Sequence, residues 1–208
     1  MGLSRIRAGK IDSLSDNTVQ ADACSLWYEP MRDTLLEQYS WGFSVTTQPL
    51  ALTSNDIFNW VYAYAYPSQC LYIEGLIRNY EQYSSTAGNP RPRSIDDMVP
   101  GDFTAGVVYK QETLVDGTRL ILSNEKELRA RYRRVVTDPN QFSPLFINAL
   151  SALLASQLAV PIIGADAGRA LGKDAMDDFK TLINSAQISD ANQEHSETEE
   201  SDFVTVRG

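Results

Sequence analysis

Apolar residues recur at Val19, Ala23, Leu26, Trp27, Met31 and Leu35, a spacing that holds to one side of a helix. Asp16 or Asn17 can cap its first turn, so the pattern predicts a main helix over 16–39. Pro30 should kink or interrupt it, because proline lacks the amide donor and crowds the carbonyl one turn back. From Phe58 to Tyr66 the period changes to two: Phe58, Trp60, Tyr62, Tyr64 and Tyr66 alternate with smaller residues, the pattern of an extended segment with one buried face. Strands are predicted at Trp60–Tyr66 and Leu71–Ile77, after a crossover of short pieces from Ser40 to Asn59. Two apolar-alternating runs, Val107–Leu114 and Thr118–Leu122, flank Val115-Asp116-Gly117, a strong hairpin signal.

The C-terminal third is helical in pattern. Ser143 is a good N-cap and Pro144 suits the first helical position. Phe146, Ala149, Leu150, Leu153, Leu154 and Leu158 line one face until Pro161, which is expected to end the helix. Small residues among them (Ala149, Ser151, Ala152, Ala155, Ser156 and Ala159) allow another helix to pack closely. A last helix is predicted over 167–192, with Leu171, Ala175, Phe179, Leu182 and Ala186 facing inward. Residues 1–9 can form two helical turns, with Leu3 and Ile6 inward and Gly9 as the stop. The expected fold is mainly α (α+β): a small antiparallel helical bundle with an inserted β-subdomain and an extended C-terminal tail.

Three stretches depart from this patterning. Residues 79–102 hold three prolines, two glycines and few aliphatics, and read as a long exposed loop. In Leu128–Thr137 the residues Arg129, Arg131 and Arg133 share one face of an alternating segment if it is a strand, while a helical first half, with Glu127 and Arg131 paired four residues apart, stays open. That row is either a solvated face guarding an edge strand or a set of guanidiniums for carboxylates of a neighbouring copy or for phosphate. From Gln193 an acidic run precedes Phe203-Val204-Thr205-Val206-Arg207-Gly208. The run cannot offset its ordering entropy, while the apolar-polar alternation after it suits extended docking on a partner.

The order of several short motifs resembles the head-to-tail adaptor proteins of short-tailed bacteriophages, the connector or tail tubular protein A family. They are Ala21-x-x-Cys24-x-x-x-Tyr28, Arg32-Asp33-x-Leu35-Leu36, Trp41-x-Phe43, Leu50-Ala51-Leu52, Trp60-x-Tyr62-Ala63-Tyr64-x-x-Pro67 and Cys70-Leu71. Thr137-Asp138-Pro139, Phe142, Phe146, Ala149-Leu150-Ser151, Leu158-Ala159 and the final Arg207-Gly208 continue the order. The resemblance is weakest between about Asn79 and Gly106, and no single motif is a chemical fingerprint.

It implies one adaptor domain over 1–192, with a helical core at about 1–45 and 140–192 and a β-subdomain at about 58–137. It also implies a ring, dodecameric in relatives, assembled in the host cytoplasm and seated in the virion between the portal and the tail nozzle protein. DNA passes through the lumen of such a ring. The segment 193–208 would dock on the portal through Phe203, Val204, Val206 and Arg207, and Arg129, Arg131 and Arg133 are candidates for the subunit interface.

Composition narrows the alternatives. A chain of 208 residues is large enough for a core without metals or disulfides. Its net charge of −9 argues against a globally basic nucleic-acid surface. Cys24 and Cys70 sit in apolar surroundings and read as buried thiols. No apolar run approaches the ~18 residues of a membrane span and the start of the chain lacks a signal-like core, so a soluble protein is expected. His195, the only histidine, lies in the acidic run and leaves a catalytic triad without a base inside the fold. Two cysteines and one histidine make no zinc spacing. Gly164, Gly168 and Gly172 lack the Lys-Ser/Thr of a phosphate loop. Asp96-Asp97 has no identifiable partner, and the aromatics of 58–66 are core rather than a sugar platform. No enzyme, cofactor or metal is expected. A tail-associated glycan hydrolase, needing two carboxylates at a set spacing, is the alternative, and a regulatory adaptor binding one protein partner is a third class.

Overall fold

A computed structural model describes residues 1–54, 57, 59–78 and 107–193. The predicted loop 79–102, Phe58, His195 and the docking segment with Phe203, Val204, Val206 and Arg207 lie outside the described residues. The fold is mixed α+β: an N-terminal helical part, two small antiparallel sheets, then two packed C-terminal helices.

The first helix, α1 (Gly2–Arg5), is shorter than its pattern suggested, yet Leu3 and Ile6 are buried as expected and Gly9 turns the chain at φ 84°. The main helix, α2 (Val19–Gln38), starts later than predicted. Thr18 caps it, its hydroxyl accepting from the Ala21 amide at 3.2 Å. Asp16 is not the cap because its carboxylate accepts from the amides of Asp12 and Ser13 in the preceding turn. Pro30 does not interrupt the helix. The carbonyl it frees belongs to Leu26, 67% exposed, so the lost bond falls on the solvent side, where it costs least.

The end of α2 is secured from elsewhere in the chain. Its last turn carries no basic residue of its own. The Trp41 indole donates to the Leu35 carbonyl at 2.8 Å, and Arg133 donates to the Glu37 carbonyl. Two of the four carbonyls that every helix leaves open at this end are thereby paired.

The supposed crossover contains two strands, β1 (Val45–Pro49) and β2 (Leu52–Thr53), ahead of β3 (Tyr62–Ala65), β4 (Cys70–Arg78), β5 (Tyr109–Thr113), β6 (Arg119–Ser123) and β7 (Leu128–Arg134). The β part therefore begins well before residue 58. One antiparallel sheet has the order β1-β7-β4 and the other β2-β3-β6-β5. The β5–β6 hairpin turns at Gly117, whose φ of 87° suits glycine. The two sheets face each other through Tyr64 and Ile121 on one side and Ile73, Leu76, Leu128, Ala130 and Tyr132 on the other. Ala63, Leu120 and Leu122 build a smaller cluster with Ile57 and Trp60. Tyr64 thus takes the inward place that the aromatic alternation assigned to it, and its small neighbour Ala63 is buried as well.

After a short turn at Pro139–Gln141 comes α3 (Pro144–Ile163), capped by Ser143, whose hydroxyl accepts from the Phe146 amide. Pro161 lies inside its last turn and does not stop it; Gly164, at φ 98°, does. α4 (Ala165–Ala191) follows at once and runs back along α3. By length and composition α3 could cross a membrane, contrary to the expectation from its polar interruptions, but half of that window is buried within the fold. It packs against α1, α2 and α4, which is why it is apolar on nearly every side.

Trp41, Leu35, Leu36, Val136, Phe142, Phe146, Leu150, Leu153 and Ala186 form the main core. It binds α2, α3 and α4 to the chain entering β1 and leaving β7. Leu182, predicted to face inward, is only partly buried and lies outside the clusters, while Ile183 packs on the core instead.

Candidate functional site

The outer face of the first sheet gathers the charged residues singled out in the sequence. β7 alternates as predicted: Leu128, Ala130 and Tyr132 are buried between the sheets, and Arg129, Arg131 and Arg133 share the opposite face. β7 is the central strand, however, hydrogen-bonded to β1 on one side and β4 on the other. A row protecting an edge strand is therefore not its role.

Within the chain the arginines meet a carboxylate. The register of β4 against β7 shifts between Ile73 and Gly75, so Glu74 is the extra residue of a bulge. Bulges re-aim side chains, and here the carboxylate is placed among the arginines. Arg131 Nε donates to Oε2 and Arg133 Nε to Oε1, both at 2.9 Å. Ser40, just past α2, adds its hydroxyl. Burial pushes the Glu74 carboxyl upward, but Ser40, Arg133 and Arg131 outweigh it and hold the group below the ordinary carboxylate range. Arg133 also lies over the Tyr72 ring at 4.6 Å and reaches the Glu37 carbonyl, so one side chain ties β7 to β4 and α2.

Arg129 differs from its neighbours. Its Nε is buried and has no hydrogen-bond partner among the described residues. Across the sheet it stands beside Pro49 and Ile77, which offer no acceptor side chain. The three arginines are thus two kinds of residue. Arg131 and Arg133 tie β7 to Glu74 of β4, and Arg129 does not join that cluster.

The sequence reading missed Glu74. A lone acid inside the otherwise apolar strand candidate Leu71–Ile77 was the available signal, but the bulge that turns it toward the arginines has no mark in the sequence. Replacing it should be costly, since two partly buried guanidiniums would lose the carboxylate they share. Glu74→Gln is expected to lose about 2 kcal/mol of stability, below the range for a wholly buried pair. The Tm should fall by roughly 4–8 °C at neutral pH. The pH dependence has a fixed sign. A carboxyl whose folded pKa is lowered stabilises fully above its ordinary value of 4.5, and that contribution fades as pH falls through the folded value. Melting curves from pH 7 down to pH 3 should therefore converge for the native chain and Glu74→Gln. Parallel curves would mean that the clamp contributes nothing.

Elsewhere an apolar cavity of about 320 Å3 lies between α1, the linker after it, α2 and α3, lined by Leu3, Leu14, Cys24, Tyr28, Phe142 and Leu154 among others. Cys24 and Cys70 are free thiols, and burial raises the pKa of each, as suits unreactive sulfur. Among the described residues no group of three or more His, Cys, Asp or Glu side chains could hold a metal ion. A glycan-cleaving general acid needs a carboxyl held above the usual range. Glu74, the most firmly held carboxylate on this face, is shifted the other way. No family model and no curated protein sequence matches the chain.

Proposed function

We propose that this chain is a non-enzymatic structural protein of a short-tailed phage virion, a head-to-tail adaptor that forms a ring beneath the portal. The observation that carries the reading is the ordered set of motifs shared with that family. Leu35, Leu36, Trp41, Phe142, Phe146 and Leu150 from those motifs all fall in one core, so the resemblance concerns positions that bear the architecture.

In this reading the finer fold is an antiparallel helical bundle with a β-subdomain inserted between its parts and a C-terminal tail extending from it. Helical parts of neighbouring copies stand side by side, twelve to a ring as the resemblance implies. The tail clasps the portal through Phe203, Val204, Val206 and Arg207, and the β-subdomain or the 79–102 segment faces the tail nozzle protein. DNA passes through without being read. A chain of net charge −9 suits such a passage, because a basic lumen would hold the duplex through counterion release. No cofactor, metal or membrane enters the reading, and the site of action is the head–tail junction.

The first test is the mass of the full chain by light scattering, alone and mixed with its cognate portal. Joining the portal in ring-sized stoichiometry supports the adaptor; a chain that ignores the portal overturns it. Deleting 194–208 should weaken portal binding at least about tenfold, or about 1.4 kcal/mol. Thermal unfolding should not change, since the deleted stretch begins beyond α4. Collapse of the fold on deletion would sink the docking role.

A further inference from the structure

A closed ring of identical subunits needs two unlike, complementary faces on each copy. The outer face of the first sheet supplies one of them. Arg129 is partly buried, its Nε has no hydrogen-bond partner among the described residues, and a buried donor left unpaired destabilises the site that holds it. Arg131 and Arg133 already meet Glu74. The unsatisfied cationic group of this row is therefore Arg129.

The second face lies on α2. Asp22, Glu29 and Glu37 are exposed and Asp33 is partly so, at steps of seven, four and four residues that keep them on one side of the helix. Asp33 pairs with Arg32. The carboxylates of Asp22, Glu29 and Glu37 hold no hydrogen bond or ion pair among the described residues. Between them Leu26, and at the start of the helix Val19, are each 67% exposed. Exposed Leu26 and Val19 leave apolar surface for a second copy to cover, and the carboxylates around them can form the polar rim that complements a cationic row.

We infer that Arg129 of one copy anchors on this stripe of a second copy, with Glu29 at the middle of the stripe as its carboxylate and Leu26 packed beside the pair. The inference rests on the ring reading above and names the contact that builds the ring. A nucleic acid is the poorer occupant. A single free guanidinium beside two that face Glu74, on a chain of net charge −9, makes a weak phosphate track. The geometry also changes how the row can be tested. Reversing all three arginines would release Glu74 and damage the fold, so only Arg129 reports on the interface.

The full chain is compared with Arg129→Glu, Glu29→Arg and the double variant, each checked for native thermal unfolding. Self-association is read by sedimentation equilibrium and ring stoichiometry on the portal by light scattering. Each single variant places like charges together and should weaken association at least about tenfold; the double variant restores an opposite-charge pair and should recover most of it. Should Arg129→Glu not fold, Arg129→Gln introduced into the Glu29→Arg chain is expected to relieve the repulsion in the same readouts. Single variants that associate like the native chain, or a compensated variant that recovers nothing, overturn the pairing. If those variants still join the portal in ring stoichiometry, the pairing alone has failed. A native chain that neither self-associates nor joins the portal overturns both the pairing and the adaptor reading.

Discussion

Trp41→Ala is expected to lower the unfolding free energy by about 4 kcal/mol, the range for deleting a large aromatic from a core. Trp41 is wholly buried and its ring meets Phe146 edge-on at 5.0 Å, Tyr39 at 4.8 Å and Phe43 in a stack at 6.0 Å. The residue does more than fill space. Its indole pairs an open carbonyl at the end of α2, and its own carbonyl accepts from the amides of Ser44 and Val45 as the chain enters β1. Truncation therefore loosens the joint between the helical part and the first sheet as well as leaving a void. For a chain of this size the Tm should drop by roughly 8–16 °C. Trp41→Phe keeps most of the volume but leaves the Leu35 carbonyl without its donor, so it should cost less, about 1–2 kcal/mol. Equal losses for Ala and Phe in chemical denaturation would make the hydrogen bond, and not the packing, the dominant contribution.

Gly168→Ala should be the next most damaging, although alanine is the better helix former by about 1 kcal/mol. A Cβ on Gly168 would lie 2.6 Å from the Ala159 carbonyl oxygen and 2.9 Å from the Val160 Cα. Both are backbone atoms of α3 and cannot swing aside as a side chain would. The α3–α4 hairpin has to open, and overpacking of this kind costs typically 1–3 kcal/mol, so a net loss of about 2–3 kcal/mol is expected. Gly172→Ala is the control. Its nearest contact would be 3.1 Å, to the Ser156 carbonyl oxygen, a strain that a slight shift relieves. A Gly168→Ala chain as stable as the native one, by Tm or denaturant midpoint, would disprove the close approach of the two helices.

Much of the architecture is legible in the residue pattern because it is locally encoded. Ser143-Pro144 marks the start of α3, Asp116-Gly117 the β5–β6 turn, and the alternation in 128–134 gives β7 both its strand and its two faces. The errors follow from equally local assumptions. Pro30 is expected to kink or interrupt its helix and Pro161 to end one, but a helix continues through a proline whose freed carbonyl is on the solvent side, as at Pro30, or that itself sits in the last turn, as at Pro161. β1 and β2 were missed because Val-Thr-Thr-Gln-Pro and Leu-Thr have little apolar alternation; they become strands by pairing with β7 and β3.

The candidate site divides along the same line. That Asp22, Glu29, Asp33 and Glu37 share a face follows from the helical period, and that Arg129, Arg131 and Arg133 share one follows from the two-residue period once 128–134 is a strand, which the residue pattern favours and the pairing with β1 and β4 settles. Which arginine is free does not follow from either. It depends on the bulge at Glu74, on Ser40 arriving from the end of α2, and on β7 being central in its sheet. Those are contacts between residues far apart along the chain, made only when separate elements dock, so the tertiary structure alone decides them.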